Sequence, residues 1–343
     1  MADRADMGPV AEGRSVVTWI KIAFVRLGVL PFLLVIAIVV FALMSDRFLT
    51  TNNLMNVARQ STYLTMVAMG QMLALLTGGF DLSVGTILAI TSVVGALAMS
   101  SLYAAYPDLV LLAIAGGMLA GFLAGVSIGV VNGVGVAVFS LSPFMMTLGM
   151  ASVGFGIALY LTGGVPVYGM PQAFGTSLGF GHVFGLPVPL YVAAALVGIM
   201  YVLLNWTRFG RYLYAVGGNI KASRLSGINT RRTLFMAYVL CGSLATISGL
   251  MLTARLETGE ANIGAAMPLE SIAACVIGGV SLRGGVGRLS GVVLGAIFIG
   301  LVQNGMNLAR IDSYLQTVVI GILLIFAVMA DQLRQRVLAE LRD

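Results

Sequence analysis

Leu109-Val-Leu-Leu-Ala-Ile-Ala-Gly-Gly-Met-Leu-Ala-Gly-Phe-Leu-Ala-Gly-Val-Ser-Ile-Gly-Val-Val-Asn-Gly-Val-Gly-Val-Ala-Val-Phe139 runs for 31 residues without a charge. A helix needs roughly 20 apolar residues to cross about 30 Å of hydrocarbon, so this stretch is long enough to cross while tilting strongly, or to break at its glycines. Only helices and closed barrels satisfy their backbone groups in lipid, and unbroken runs of this length read as helices. The rest of the chain is written in the same style. Of its 343 residues 59% are hydrophobic and 9% charged, and its mean hydropathy is +1.01, far too apolar for a soluble domain.

A charge at the bilayer centre costs about 2.5 to 3.5 kcal/mol, so charged residues mark helix ends. That rule predicts an all-α polytopic membrane protein of about ten transmembrane helices. They are Leu27–Met44, Ser61–Thr77, Leu82–Ser100, Leu109–Phe139, Pro143–Thr162, Val188–Asn205, Leu234–Ala254, Pro268–Gly279, Leu289–Leu308 and Tyr314–Ala330. The Gly/Pro-rich stretch Gly163–Pro189 reads as a loop, and its His182, the single histidine, is given no role. The eighth segment is the weak member, because Glu270 to Arg283 encloses only twelve uncharged residues and could form a re-entrant loop. With both termini inside, ten crossings put fifteen of the nineteen cations on the cytoplasmic side, and nine crossings would put eleven there. The positive-inside rule therefore favours ten. The expected domain layout is a cytoplasmic N-terminal segment at 1–26, a transmembrane domain at 27–331 and a cytoplasmic tail at 332–343. The first apolar run is followed by Leu43-Met-Ser-Asp-Arg-Phe48 and not by a small-residue cleavage motif, so it reads as a retained helix.

Several classes of function fall away. The net charge of +6 reads as cytoplasmic loops, so no nucleic-acid partner is expected. Cys241 and Cys275 lie in apolar segments without metal or disulfide spacing, and no metal or cofactor is expected. No Gly-x-x-x-x-Gly-Lys-Ser/Thr string is present, so ATP would have to be hydrolysed elsewhere. An ion-coupled transporter would need charges inside its helices, and a membrane enzyme a cluster of reactive side chains.

Ile128-Gly-Val-Val-Asn132-Gly133 in the fourth helix nearly repeats as Ile299-Gly-Leu-Val-Gln-Asn304-Gly305 in the ninth, with one insertion. An offset of five helices puts the copies in opposite orientation, an inverted repeat of the transporter kind. Asp81 and Glu270, each just ahead of a Ser near the start of the third and eighth helices, read as a second trace. The helix dipole there stabilises a carboxylate by about 0.3 to 1 kcal/mol. For the two asparagines two readings stand: lining a central path, or hydrogen bonding between helices.

Phe48-Leu-Thr-Thr-Asn-Asn-Leu54, Leu76-Thr-Gly-Gly-Phe-Asp-Leu-Ser-Val-Gly85, Gly217-Gly-Asn-Ile-Lys-Ala-Ser-Arg-Leu-Ser-Gly-Ile228, Leu269-Glu-Ser-Ile-Ala-Ala-Cys-Val-Ile-Gly-Gly279, Gly284-Gly-Val-Gly287 and Asn304-Gly-Met-Asn-Leu308 resemble, in pattern and order, the permease subunits of ribose-, xylose- and arabinose-type ABC importers. The resemblance covers about Phe48 to Asp331. One departure is Ser223, where a second alanine is the family habit. It implies a monosaccharide importer in the bacterial inner membrane. Its partners would be a cytoplasmic ATP-binding subunit, a periplasmic substrate-binding protein and a second permease chain, identical or paralogous. A branched-chain amino acid, nucleoside or signalling sugar is the alternative cargo, since fold does not fix substrate.

The loop 206–233 is the largest cytoplasmic one. Asn219 can cap a short helix running to Ser226, and Gly227 can stop it in a left-handed conformation. By resemblance this loop docks into the ATP-binding subunit through Gly218, Asn219, Ala222, Ser223, Leu225, Gly227 and Ile228. On composition alone it also reads as a basic loop facing lipid headgroups. Gln71, Asn132, Asn304 and Asn307 are the expected path-lining residues.

Overall fold

The computed structural model describes residues 30–340. The segment expected at 1–26 and the first helix's expected start at Leu27 lie outside the described residues. Five long helices come first: α1 (Leu30–Met44), α2 (Thr51–Leu76), α3 (Val84–Ala105), α4 (Val110–Ala137) and α5 (Pro143–Thr162). The expected loop then folds into a helical turn at Gln172–Phe174, a π-turn at Gly175–Gly179 and a small hairpin pairing His182–Val183 with Leu186–Pro187. α6 (Val188–Trp206), α7 (Arg208–Gly218), α8 (Ile220–Leu225), α9 (Thr230–Leu256), α10 (Met267–Ile277), α11 (Leu289–Leu308) and α12 (Ser313–Glu340) complete the chain. α12 carries helix across the border expected at 331.

Among the described residues, α3, α4, α5, α6, α9 and α11 are long and apolar enough to cross a membrane. α1, α10 and the Ser313–Met329 part of α12 are apolar but shorter. The chain is an all-α, multi-pass membrane protein. α5 begins and ends where the sequence predicts, with Pro143 in its first turn and Gly163 closing it at φ 61°. α4 is one continuous helix, and its glycines serve close approach: a Cβ at Gly129 would sit 3.0 Å from the Tyr238 carbonyl of α9.

α2 departs from expectation by starting ten residues early, at Thr51 in place of Ser61. From Ser61 to Leu76 every residue is buried, and α9, α11, α10 and α6 pack around the helix. Protein shields this part from lipid, so Thr62, Thr65 and Gln71 can occupy it without facing hydrocarbon. The early turns, Thr51 to Gln60, are polar and mostly exposed or half-buried, so the apolar pattern does not include them.

The eighth segment, expected at Pro268–Gly279, forms at Met267–Ile277 and is the short member the sequence indicates. α10 has 11 residues, roughly 17 Å, too short to cross alone. Its lead-in, 257–266, passes through an isolated bridge at Gly259 and then a series of turns beside α3, where the Glu260 N–H donates to Ser92 Oγ at 3.2 Å. A Cβ at Gly85 would lie 2.6 Å from the Gly264 carbonyl and 3.2 Å from Pro268 Cδ. α10 therefore starts inside the bundle, against the first turn of α3. The connection 77–83 does the same for α3, folding back along α2 until Asp81 reaches Gln71.

The repeat extends beyond the matching strings. α4 packs on α3 and α9, and α11 packs on α10 and α2. Each unit is a buried helix, a non-helical re-entry, a helix starting within the bundle and a helix covering it. An inverted repeat across the bilayer has this build.

Candidate functional site

Two arrangements stand out, one at an end of the bundle and one in its interior. At the end lie α7 and α8. Thr207 caps α7 by accepting from the Gly210 N–H at 3.1 Å, Asn219 caps α8 by accepting from Ala222 N–H at 2.9 Å, and Asn229 caps α9 by accepting from Arg232 N–H at 2.9 Å. Each cap satisfies a backbone donor that a helix start leaves unpaired. Gly227 sits at φ 81°, and the Ile228 N–H returns to the Ser223 carbonyl at 3.0 Å, closing α8 after six residues.

α8 is held out as a short rod. Ile220, Lys221, Ala222, Arg224 and Leu225 are exposed, Leu225 at 91%. Gly218, Asn219 and Gly227 are exposed beside them, and Ile228 is half-buried. Ser223 departs from the expected docking surface: it is buried, 5% exposed, because helical spacing turns it inward when Ala222 and Leu225 face out.

Beneath α8 three chain segments meet backbone to backbone. The Gly285 N–H donates to the Leu76 carbonyl at 2.9 Å, satisfying one of the free carbonyls at the end of α2. Gly217, next to last in α7, fits into the same point. A Cβ there would collide with the Leu76 carbonyl and stand 2.5 Å from Gly285 N. A Cβ at Gly284 would stand 2.8 Å from Gly78 N, and one at Gly285 2.7 Å from Gly218 N. The Tyr214 hydroxyl of α7 donates to the Gly287 carbonyl at 3.1 Å, and burial pushes that hydroxyl above the usual tyrosine range. Nothing in the local sequence of the Gly78-Gly79 and Gly284-Gly285 turns indicates that they touch.

The interior arrangement surrounds the two carboxylates. Asp81 is fully buried; its Oδ1 accepts from Ser83 N at 2.8 Å and Ser83 Oγ at 2.6 Å. Asn132 Nδ2 donates to Ser83 Oγ at 2.7 Å and to Asp81 Oδ2 at 3.3 Å. Gln71 grips the Asp81 backbone, its oxygen accepting from the N–H and its NH2 donating to the carbonyl, both at 3.1 Å. At the second re-entry Gln303 Nε2 donates to Glu270 Oε1 at 2.7 Å. Each carboxylate stands near a helix N-terminus and is held by an amide from the helix that covers the re-entry.

This geometry corrects the register of the repeat. The amide equivalent to Asn132 is Gln303, one residue before Asn304, so the two strings align without an insertion. Reading them ungapped was the signal that could have found Gln303. Asn304 instead exchanges two side-chain hydrogen bonds with Asn53, at 2.9 and 3.0 Å, pinning α11 to the start of α2. Gln71, Asn132 and Asn304 are thus buried braces and do not face open space; Asn307 alone of the four is exposed, accepting from Gln316 at 2.8 Å.

A bundle of apolar helices with two re-entries related by an inverted repeat, and a capped rod standing at one end, defines the membrane subunit of a transporter. The chain belongs to the family described as branched-chain amino acid transport system / permease component, whose model matches residues 53–328. It is 38% identical over 306 residues to the ribose import permease protein RbsC of Escherichia coli K12, covering 88% of this chain and 92% of that one. It is 36% identical to the D-allose transport system permease protein AlsC of the same strain, over 88% of this chain and 90% of that one. To the galactose/methyl galactoside import permease protein MglC of Salmonella typhimurium LT2 it is 35% identical, over 94% and 97%. No solved structure is a significant match.

Proposed function

We propose that the chain is the membrane-spanning permease subunit of an ATP-binding-cassette importer of the bacterial inner membrane, moving a monosaccharide delivered by an external binding protein. The observation that carries this reading is the likeness to ribose, allose and galactose permeases over nine-tenths or more of their lengths. The sugar names of these relatives favour a monosaccharide over the amino acid in the family's description.

In this reading α8 faces the cytoplasm and docks on a separate ATP-binding subunit. Ala222 keeps the rod's profile low, Ile220 and Leu225 give apolar contact, and Lys221 and Arg224 supply charge. Asn219 and Gly227 fix the rod's ends, Gly218 and Ile228 flank it, and Ser223 seats it. Two permease chains enclose the path, with Asn307 toward its rim. ATP-driven closure of the partner subunits opens the cavity to one side at a time, and the binding protein's delivery makes a dense polar site in the permease unnecessary.

The test is uptake by the reconstituted chain with its ATP-binding and binding-protein partners, offering labelled pentoses and hexoses beside branched-chain amino acids and nucleosides. ATP-dependent uptake of a monosaccharide is expected; uptake of another solute alone removes the cargo assignment.

A further inference from the structure

We infer that the backbone joint of Leu76, Gly217 and Gly285 is where motion of α8 enters the membrane part of the protein, with Tyr214 and Gly217 as its positioning residues. The inference rests on the reading of α8 as the docking element. Gly217 lies two residues before Asn219, the α8 cap, so the rod and the joint share one short piece of chain. On its far side the joint opens in two directions. Leu76 ends α2 and leads through the first re-entry to Asp81 and the start of α3. Gly285 and Gly287 lie in the turn that joins α10 to α11.

The contact is made by backbone alone. The Gly285 N–H to Leu76 carbonyl bond is 2.9 Å, and Gly217 touches both groups with no side chain between them. A flexible side chain can absorb a displacement by changing rotamer, whereas close-packed backbone transmits it. Tyr214 adds a second tie, one turn earlier on α7, to the Gly287 carbonyl. A push on α8 therefore reaches the first re-entry and, through the α10–α11 turn, the end of α10 at once. The two re-entries meet inside the bundle, where Gly85 of α3 packs on Gly264 and Pro268 at the start of α10. One input would thus move both halves of the inverted repeat together.

The experiment uses the reconstituted complex with both partners and reads three quantities: ATP-binding subunit retained on purification, substrate-stimulated ATPase, and uptake. Gly217→Ala drives a methyl into the Leu76 carbonyl and is expected to cut stimulation and uptake tenfold or more, with the ATP-binding subunit retained. Tyr214→Phe removes one hydrogen bond and little volume, and a loss of roughly threefold is expected. Gly198→Ala on exposed α6, where a Cβ meets nothing within 4 Å, should match the unmodified protein. Should Gly217→Ala fail to accumulate, Tyr214→Phe decides alone. Stimulation and uptake within twofold of the unmodified protein in the variants that accumulate would overturn the joint. Leu225→Glu separates the two ideas. Retention and stimulation unchanged in that variant would remove the docking reading itself, whereas their loss beside wild-type behaviour of the joint variants would remove only the joint.

Discussion

Asn132 and Gln303 hold the two buried carboxylates, and their replacement has different consequences. Asn132→Leu leaves Asp81 Oδ2 and the Ser83 hydroxyl oxygen without their amide donor in a place with no solvent access, a defect of about 1 to 3 kcal/mol. Thermal unfolding of the purified protein in detergent should shift down clearly. Gln303→Leu removes one bond from Glu270, which keeps some exposure at 6%, and a smaller shift is expected. Equal shifts, or the reverse order, would contradict this account of how burial and bond number separate the two sites. At α8 the face decides. Ala222→Glu should abolish stimulated ATPase while the protein still inserts, whereas Ser223→Ala should be silent and Ser223→Arg should reduce accumulation by forcing a charge inward. The α8 cap was legible because it depends on residues three apart, Asn219 and Ala222. The amide partners were less so, since a path-lining asparagine and a bracing one look alike until the carboxylate beside it is seen.

Among the elements, α8 shows how little holds a docking rod in shape. Six residues make too few internal hydrogen bonds to be stable alone, so the ends carry it. Asn219→Ala should cost about 1 kcal/mol of local stability, and Gly227→Ala a similar amount because its φ of 81° suits glycine. Both should lower stimulated ATPase, with Asn219→Asp restoring most of it. α10 makes a different prediction. If the lead-in and α10 together complete one crossing, cysteines replacing the exposed Leu256 and Val286 should react with a membrane-impermeant thiol reagent from opposite faces. Cys241 and Cys275 are fully buried and should stay silent. Labelling of both from one face would make α10 a re-entrant hairpin. Charges located most helix ends, and Pro143 and Gly163 bounded α5 to the residue. They missed the start of α2, because Thr51 to Gln60 is polar and carries Arg59 yet is helical, whereas α10 forms within two residues of its expected bounds.

For the whole molecule, the pattern of exposure follows from the repeat. α2 and α9, the first helices of the two units, are the buried centre, while α4, α5 and α6 turn large apolar side chains outward, as a chain surrounded by lipid and a second subunit requires. The class was open to sequence reading because composition and hydropathy are enough to set it. The meeting of Leu76, Gly217 and Gly285 was not, because it joins three turns separated by more than sixty residues at each step. The central claim is that this chain carries a sugar on behalf of an ATPase it does not contain. Its most direct test is uptake of labelled monosaccharides into proteoliposomes holding the complete complex, with ATP and with a non-hydrolysable analogue inside. Monosaccharide accumulation that requires ATP hydrolysis is the predicted result; accumulation at the same rate with the analogue, or of a solute other than a sugar, would contradict it.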